Sequence, residues 1–375
     1  MVNNKSKENV LIITMNWFGG STIFMEQYIK QNLQNKGIFI LLQNNDKFNV
    51  IDLQNKGLVY NVEKNPAHLT KLIQSLKITS IFINHLATFD LQFIINWILN
   101  LKIPFTFFMH DYFCVCPSYN IDCFAKFCSE NETNIKCRKH FNDVNLPKVT
   151  IKNWRYVFEQ FLTKAEHIYI PSTYAANIVK NFYPNLNIES KPHYLSLPLK
   201  KTFNPKFAER DRLRMFFLGN MWKHKGERYL LLANEFIRKQ NLPIEFLVAG
   251  EYHDEIHEGT KEGILYIGKY DNKKVSNLLS KLETAIVANL SNVYETYCYT
   301  ASEAILSGYP VLAMDIGAHS VRIKKNDCGW IIPINTPSNG FEELKSFLKF
   351  IVTPEGRKQI LLKAANTNNF KNGME

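Results

Sequence analysis

The sequence predicts an α/β protein of two Rossmann-like domains, each a doubly wound parallel sheet, with an interdomain cleft. Three observations carry that reading. At 375 residues the chain exceeds what one hydrophobic core holds, since domains run to roughly 100–200 residues. In both halves short apolar runs alternate with amphipathic stretches, as the βα units of a parallel sheet do. Between the halves, Pro184, Pro192, Pro198 and Pro205 fall within residues 184–206, a stretch of little periodicity that reads as an interdomain linker. The domains are therefore expected at residues 1–204 and 205–375.

Val10–Thr14 is the first expected strand, followed by a loop over Asn16-Trp17-Phe18-Gly19-Gly20 and a helix from Ser21 to Asn35. Ile38–Leu42, Ile78–Asn84 and Phe105–Met109 are further strands, the last two running into polar loops that open with His85 and with His110-Asp111. Loops at the carboxyl ends of strands are where open α/β sheets bind ligands. Gly19-Gly20 lacks two Cβ atoms and so lets backbone N–H groups approach an anion, although paired glycines are commonest in plain turns. A helical stretch over Lys152–Ala165, a strand over His167–Pro171 and a helix opening at Ser172, a suitable N-cap, complete the first half.

The second alternation starts with a strand over Arg214–Leu218 into Gly219, a helix over Arg228–Gln240 and a strand over Ile244–Ala249 into Gly250. Strands at Ile264–Ile267, Thr284–Ala288 and Val311–Met314 follow, with helices at Lys273–Lys281 and Thr300–Ser307 between them. Phe341–Ile351 and Glu355–Asn366 read as closing helices, ahead of a polar tail.

Composition narrows the class. With 46% hydrophobic and 21% charged residues, 27 Phe and 17 Tyr, the chain has material for sizeable cores and is neither disordered nor fibrous. The apolar run Val10–Ile13 is too short for a signal-peptide core, and Leu91–Met109 is broken by Gln92, Asn96, Asn100, Lys102 and Pro104, so neither export nor a membrane span is expected and the location reads as cytoplasmic. The net charge of +11 favours anionic partners and leaves room for peripheral contact with an anionic membrane. No basic arm or aromatic platform points to nucleic acid. Five of the seven cysteines, Cys114, Cys116, Cys123, Cys128 and Cys137, crowd one region without a repeated C-x-x-C pair; a reduced loop with partly buried thiols fits better than a zinc site there.

The most informative window is Glu283 to Trp330: a strand, a loop with Glu295 and Thr296-Tyr297-Cys298, a helix with Glu303 about one turn inside it, Gly308-Tyr309-Pro310 and a strand to Asp315. Two carboxylates flank one helix start, whose exposed N–H groups and dipole favour phosphate. Carboxylates accept strong hydrogen bonds from vicinal hydroxyls. The ligand that suits this pattern has a diol at one end, a diphosphate in the middle and a polyhydroxyl ring at the other, which describes a nucleotide sugar.

Glu295 and Glu303, within "YETYCYTASEAILSGYPVLAMDIGA", resemble the Glu-x7-Glu signature of family-4 glycosyltransferases, and the resemblance extends over nearly the whole chain. It implies the GT-B fold, with an acceptor-side first domain and a donor-binding second one. It further implies a metal-independent hexosyltransferase without cofactor, retaining anomeric configuration, with Glu295 approaching the donor sugar and Glu303 binding the ribose. "FFLGNMWKHKGERYLLLANEF" is similar to the family's Arg-x4-Lys-Gly segment, in which both cations neutralise the donor diphosphate; Lys225-Gly226 match, and Asn220 stands where the family has Arg. Lys223 and Arg228 are nearby cations that can substitute. Thr296-Tyr297-Cys298 replaces the usual Gly-Phe-Gly after the first Glu, and Ser320 stands where related sequences often carry Glu.

In the first half, "FFMHDYFCVCPSYN" resembles a His-Asp-Tyr and Cys-Pro segment of the branch that builds bacterial surface polysaccharides. On that resemblance the imidazole of His110 faces the transferred sugar and stabilises charge as the diphosphate leaves, and Gly19 and Gly20 approach the donor phosphates. The implied activity is transfer of a sugar from a nucleotide-diphosphate donor to a glycan or lipid-linked acceptor of the cell envelope, such as a lipopolysaccharide or capsule. Two alternatives stand beside it: a nucleotide-sugar 2-epimerase, which shares the architecture without the Glu-x7-Glu window, and a non-catalytic nucleotide-sugar or glycan-binding module of a larger synthase.

Overall fold

The computed structural model describes residues 8–16, 19–117, 119, 150–193, 199–251 and 259–371. The chain forms two compact units, the first reaching Lys191 and the second beginning at Pro192.

The strands of the first unit are β1 Asn9–Ile13, β2 Gly37–Asn44, β3 Lys47–Asp52, β4 Leu58–Glu63, β5 Ser80–Ile83, β6 Phe105–Phe108, β7 His167–Ile170 and β8 Ile188–Ser190. Among the described residues they form one sheet in the order β4-β3-β2-β1-β5-β6-β7-β8. The pairs from β2 to β8 are parallel, and β3 and β4 extend the sheet antiparallel at one edge. Chain order reverses between β1 and β5, so the loops after β1, β5 and β6 meet at the switch point where such sheets bind ligands. Val10, Ile12, Phe24, Phe82 and Phe108 pack into one apolar cluster beside these strand ends. The helix after β1 runs Gly20–Asn32, starting one residue earlier and ending three earlier than expected. The antiparallel extension is not among the expected elements. β3 buries only alternate residues and β4 none fully, so neither offers the continuous apolar run of an interior strand.

The second unit contains β9 Leu213–Leu218, β10 Ile244–Ala249, β11 Gly259–Lys261, β12 Ile264–Gly268, β13 Ile286–Asn289, β14 Val311–Met314 and β15 Gly329–Ile332. Their order is β11-β12-β10-β9-β13-β14-β15, parallel except at β11. Both faces of the sheet are covered, which explains the unbroken apolar strands: Met215 and Phe217 join one core with Leu230 and Leu312, while Phe216 and Leu218 join the other with Val287 and Ile305. The chain leaves β9 towards β10 and β12, then returns to β13 on the other side, placing this sheet's switch point between β9 and β13. Helices Pro337–Ile351 and Pro354–Asn366 close the unit, capped by Thr336 and Thr353, whose hydroxyls accept from the N–H groups of Asn339 and Gly356.

No described helix is long and apolar enough to cross a membrane. Cys114 and Cys116 are buried free thiols, whereas Cys123, Cys128 and Cys137 lie outside the described residues.

Candidate functional site

In the second unit the sequence after β9 turns sharply at Gly219 (φ +93°) into a single helical turn, Lys223–Lys225, and then at Gly226 (φ +92°) into the helix Glu227–Lys239. Gly226 is obligatory, because a Cβ there would lie 2.1 Å from the carbonyl oxygen of Leu290. That close approach docks the turn on the loop after β13: the backbone N–H of Asn292 donates to the carbonyl of His224 at 3.2 Å, and the Ser291 hydroxyl donates to the same oxygen at 3.1 Å. Lys225 therefore reaches Glu295, with Nζ 2.8 Å from Oε1.

This pair is held from a third side. The carbonyl of Glu295 accepts from the N–H of Ala318 at 2.9 Å, tying its loop to the segment after β14. Burial by itself would raise the Glu295 carboxyl, but the Lys225 ammonium, its hydrogen bond and His319 overcome it and hold the pKa at about 2. Lys225 loses solvent as well, yet Glu295 keeps its pKa above the ordinary lysine value. Both groups are charged at neutral pH, and Lys225 remains about a third exposed.

The helix Tyr299–Leu306 starts at Cys298, which adopts the left-handed region at φ 69° and provides no side-chain cap. This is the position where the resemblance expects glycine, and the chain keeps the glycine-like backbone with a cysteine. Burial pushes the Cys298 thiol up to about 12, reinforced by Glu295, so it stays protonated; its sulfur accepts from Asn289 Nδ2 at 3.1 Å. Tyr297 and Cys298 are clamped by Arg322, whose Nη2 donates to both of their carbonyls and whose guanidinium lies 4.3 Å from the Tyr297 ring centroid.

Glu303 lies just over one turn into the helix and is fully buried. Asn272 Nδ2 donates to Oε1 at 2.5 Å and the Tyr270 hydroxyl to Oε2 at 3.5 Å. Burial pushes this carboxyl up to about 7 despite those two donors. The two glutamates at this helix start thus have pKa values displaced in opposite directions. Each oxygen of Glu303 keeps a second lone pair with which to accept a further donor.

Asn220 stands apart, exposed, with Oδ1 accepting from the N–H of Glu251 at 2.9 Å. A neutral amide committed to a backbone group does not replace a guanidinium. Lys223 and Arg228 are exposed.

In the first unit Gly19 is the N-cap of the helix after β1, in extended backbone, and its carbonyl accepts from Thr22 and Ile23. His110, at the end of β6, lies on Phe108 with ring centroids 4.5 Å apart, and its Nε2 contacts Asn84 Oδ1 at 2.8 Å. The buried Asn84 donates to Thr14 Oγ1 at 2.9 Å and to the Ser21 carbonyl at 3.3 Å, so its oxygen is the acceptor and His110 Nε2 carries a proton. One amide thereby joins the Gly19-Gly20 helix start to His110. His85 accepts at Nδ1 from the Ala87 N–H and faces Asp111 through Nε2 at 3.0 Å; Asp111 also caps Phe113.

The structure thus gathers Lys225, Glu295, Tyr297 and Cys298 at one switch point with Glu303 one turn deeper, and at the other it links Ser21, next to Gly20, to His110 through Asn84. Sequence reasoning missed Asn84, Asn272, His319 and Arg322. The last two lie three residues apart on the helix Ala318–Asn326, and this polar pair on one helical face was the available signal.

Residues 212–349 match the family model described as Glycosyl transferases group 1. An uncharacterized glycosyltransferase of Methanocaldococcus jannaschii is 24% identical over 168 residues, 43% of this chain and 42% of that protein. An uncharacterized 41.2 kDa protein in the cps region of Klebsiella pneumoniae is 22% identical over 182 residues, 44% of this chain and 49% of that protein. The chain spans less than half the length of these curated relatives. Among solved structures, sucrose-phosphate synthase from Thermosynechococcus elongatus superposes with TM-score 0.62 at 13% identity, covering 97% of both chains. Anabaena HepE in complex with UDP gives 0.63 at 12%, covering 96% of this chain and 94% of that one. These likenesses bear out the expected fold class, the α/β GT-B architecture of two Rossmann-like domains.

Proposed function

We propose that this chain is a glycosyltransferase moving a hexosyl group from a nucleotide-diphosphate sugar to a glycan or lipid-linked acceptor, with retention and without a metal. The Lys225–Glu295 pair at the β9/β13 switch point carries the reading. An ammonium and a carboxylate side by side at a helix start suit a ligand that is anionic at one atom group and hydroxylated at the next. Lys225 neutralises the departing diphosphate, Glu295 accepts from a sugar hydroxyl, and Glu303 takes the ribose. In the first unit the reading gives His110 the sugar-facing, charge-stabilising role, with Asn84 holding its ring. The HepE complexes with UDP and UDP-glucose support a nucleotide-sugar donor, and the relative from a cps region supports a surface polysaccharide as product. The net charge of +11 suits a lipid-linked acceptor at the cytoplasmic face of an anionic membrane.

The test is a thermal-shift screen against UDP, GDP, dTDP and CMP sugars, followed by donor hydrolysis and transfer assays with and without chelator. Binding of one nucleotide class with chelator-resistant transfer and a retained anomeric centre is the expected outcome. Glu303→Ala should weaken nucleotide binding, whereas Glu295→Ala and His110→Ala should mainly lower turnover. No binding and no turnover would end the proposal. One observation favours a second reading, a binding module without catalysis: Asn220 is neutral and committed to Glu251, so one expected cation is missing. Tight binding without hydrolysis or transfer would select it.

A further inference from the structure

His319 is fully buried in the first turn of the helix Ala318–Asn326, and neither Nδ1 nor Nε2 has a hydrogen-bond partner. A histidine retained for packing ordinarily commits at least one ring nitrogen to a carbonyl or hydroxyl, because an orphaned buried polar atom costs stability. Its surroundings are those of Glu295. A Cβ placed on Gly317 would meet the Glu295 backbone nitrogen at 2.9 Å and His319 Cε1 at 3.1 Å, so the imidazole and the glutamate border the same glycine. The electrostatic influence of Glu295 reaches the ring, and so does that of Lys225.

One helical turn further on, Arg322 leaves Nε and Nη1 without partners while Nη2 holds the carbonyls of Tyr297 and Cys298. The guanidinium holds two carbonyls, whereas the imidazole makes no hydrogen bond. Burial, then the neighbouring cations, lower the His319 pKa to about 4 against the pull of Glu295, so the ring is neutral at physiological pH, with one nitrogen a donor and the other an acceptor.

We propose that His319 contacts the transferred sugar and selects donors that carry a hydroxyl beside the one Glu295 accepts. The carboxylate accepts a hydrogen bond from one hydroxyl, and the imidazole donates to or accepts from its neighbour. A donor deoxygenated at the position His319 reads leaves the buried imidazole unpaired, which discriminates against it. This rests on the transferase reading above and assigns to it a residue that belongs to neither the Glu-x7-Glu window nor the Lys-Gly segment.

The experiment compares His319→Phe and His319→Gln with wild type. Probes are UDP with UDP-glucose, GDP with GDP-mannose, and dTDP with dTDP-glucose, using whichever pair the wild type binds, together with that sugar's deoxy analogues. For His319→Phe, affinity for the nucleoside diphosphate should stay within about twofold, while affinity for the nucleotide sugar should fall roughly ten- to a hundredfold. Its melting temperature should not drop, since the ring makes no hydrogen bond to lose. His319→Gln, which can still donate and accept, should recover part of the sugar affinity. Deoxygenation at the position read by His319 should weaken binding to wild type and leave His319→Phe indifferent. Equal losses for diphosphate and nucleotide sugar, or no loss in either, would overturn the proposal. A wild type that binds no pair would instead defeat the transferase reading.

Discussion

The two switch points are built from different materials. In the first unit a buried chain of neutral dipoles, Thr14, Asn84 and His110, joins the strand ends, and the adjacent carboxylate, Asp111, faces His85. In the second they are joined by charge: Lys225 against Glu295, with Arg322 of the next helix holding the carbonyls of Tyr297 and Cys298. Strand ends at a switch point are thus tied by a neutral hydrogen-bond chain in one unit and by an ion pair in the other. Neutral networks depend on every donor finding an acceptor, and charged ones on every charge finding its opposite. Each responds differently when a member is removed.

The largest effect should come from Lys225→Ala. Glu295 is only 10% exposed and would be left as a buried carboxylate without its counter-ion. Breaking a buried pair costs about 3–5 kcal/mol, and exposure of the lysine moves the expectation to the lower end, about 3 kcal/mol in urea unfolding of the second unit. Glu295→Gln should cost less, because Lys225 can turn to water. The double variant Lys225→Met/Glu295→Gln should recover most of the loss. A double variant as unstable as Lys225→Ala would show that the charges matter less than their shape.

Acid and base sharpen the contrast between the two glutamates. Glu303 ionises at about 7 against an ordinary 4.5, so it contributes stability that is full below 4.5 and lost as pH rises through 7. Glu295 ionises at about 2, so its contribution is full above 4.5 and lost as pH falls towards 2. Glu303→Gln should therefore gain on wild type by up to about 3 kcal/mol between pH 5 and 8. Glu295→Gln should gain on wild type only as pH falls below 4.5. A flat difference for Glu303→Gln would mean that the carboxyl is not neutralised by burial.

In the first unit Asn84→Ala should cost about 1–3 kcal/mol, by removing the amide's bonds to Thr14 and the Ser21 carbonyl and freeing the His110 ring. Turnover should fall with it, and nucleotide affinity should hold. The residue also marks where sequence reading stopped. Glu295, Glu303 and Lys225 were legible because each belongs to a short local pattern of strand, glycine and helix. Asn84 was read as the end of a strand, and its partners lie 63, 70 and 26 positions away. His319 and Arg322 escaped for the same reason, since their meaning comes from the loop after β14 meeting the loop after β13. β3 and β4 escaped for another: an edge extension with one buried face, or none, gives no apolar run to find.

The smallest effect concerns Cys298. A non-glycine residue at φ 69° costs about 1–2 kcal/mol relative to its ordinary conformation. Replacing it directly by glycine would confound that strain with the lost contact between its sulfur and Asn289. Comparing two variants removes the confusion, because Cys298→Ala and Cys298→Gly both delete the sulfur and only glycine relieves the backbone. The glycine variant should be the more stable of the two by about 1 kcal/mol, after its greater unfolded-state freedom offsets part of the relief. If alanine equals or exceeds glycine, the loop is not strained there, and the clamp by Arg322 holds carbonyls that would lie in place without it.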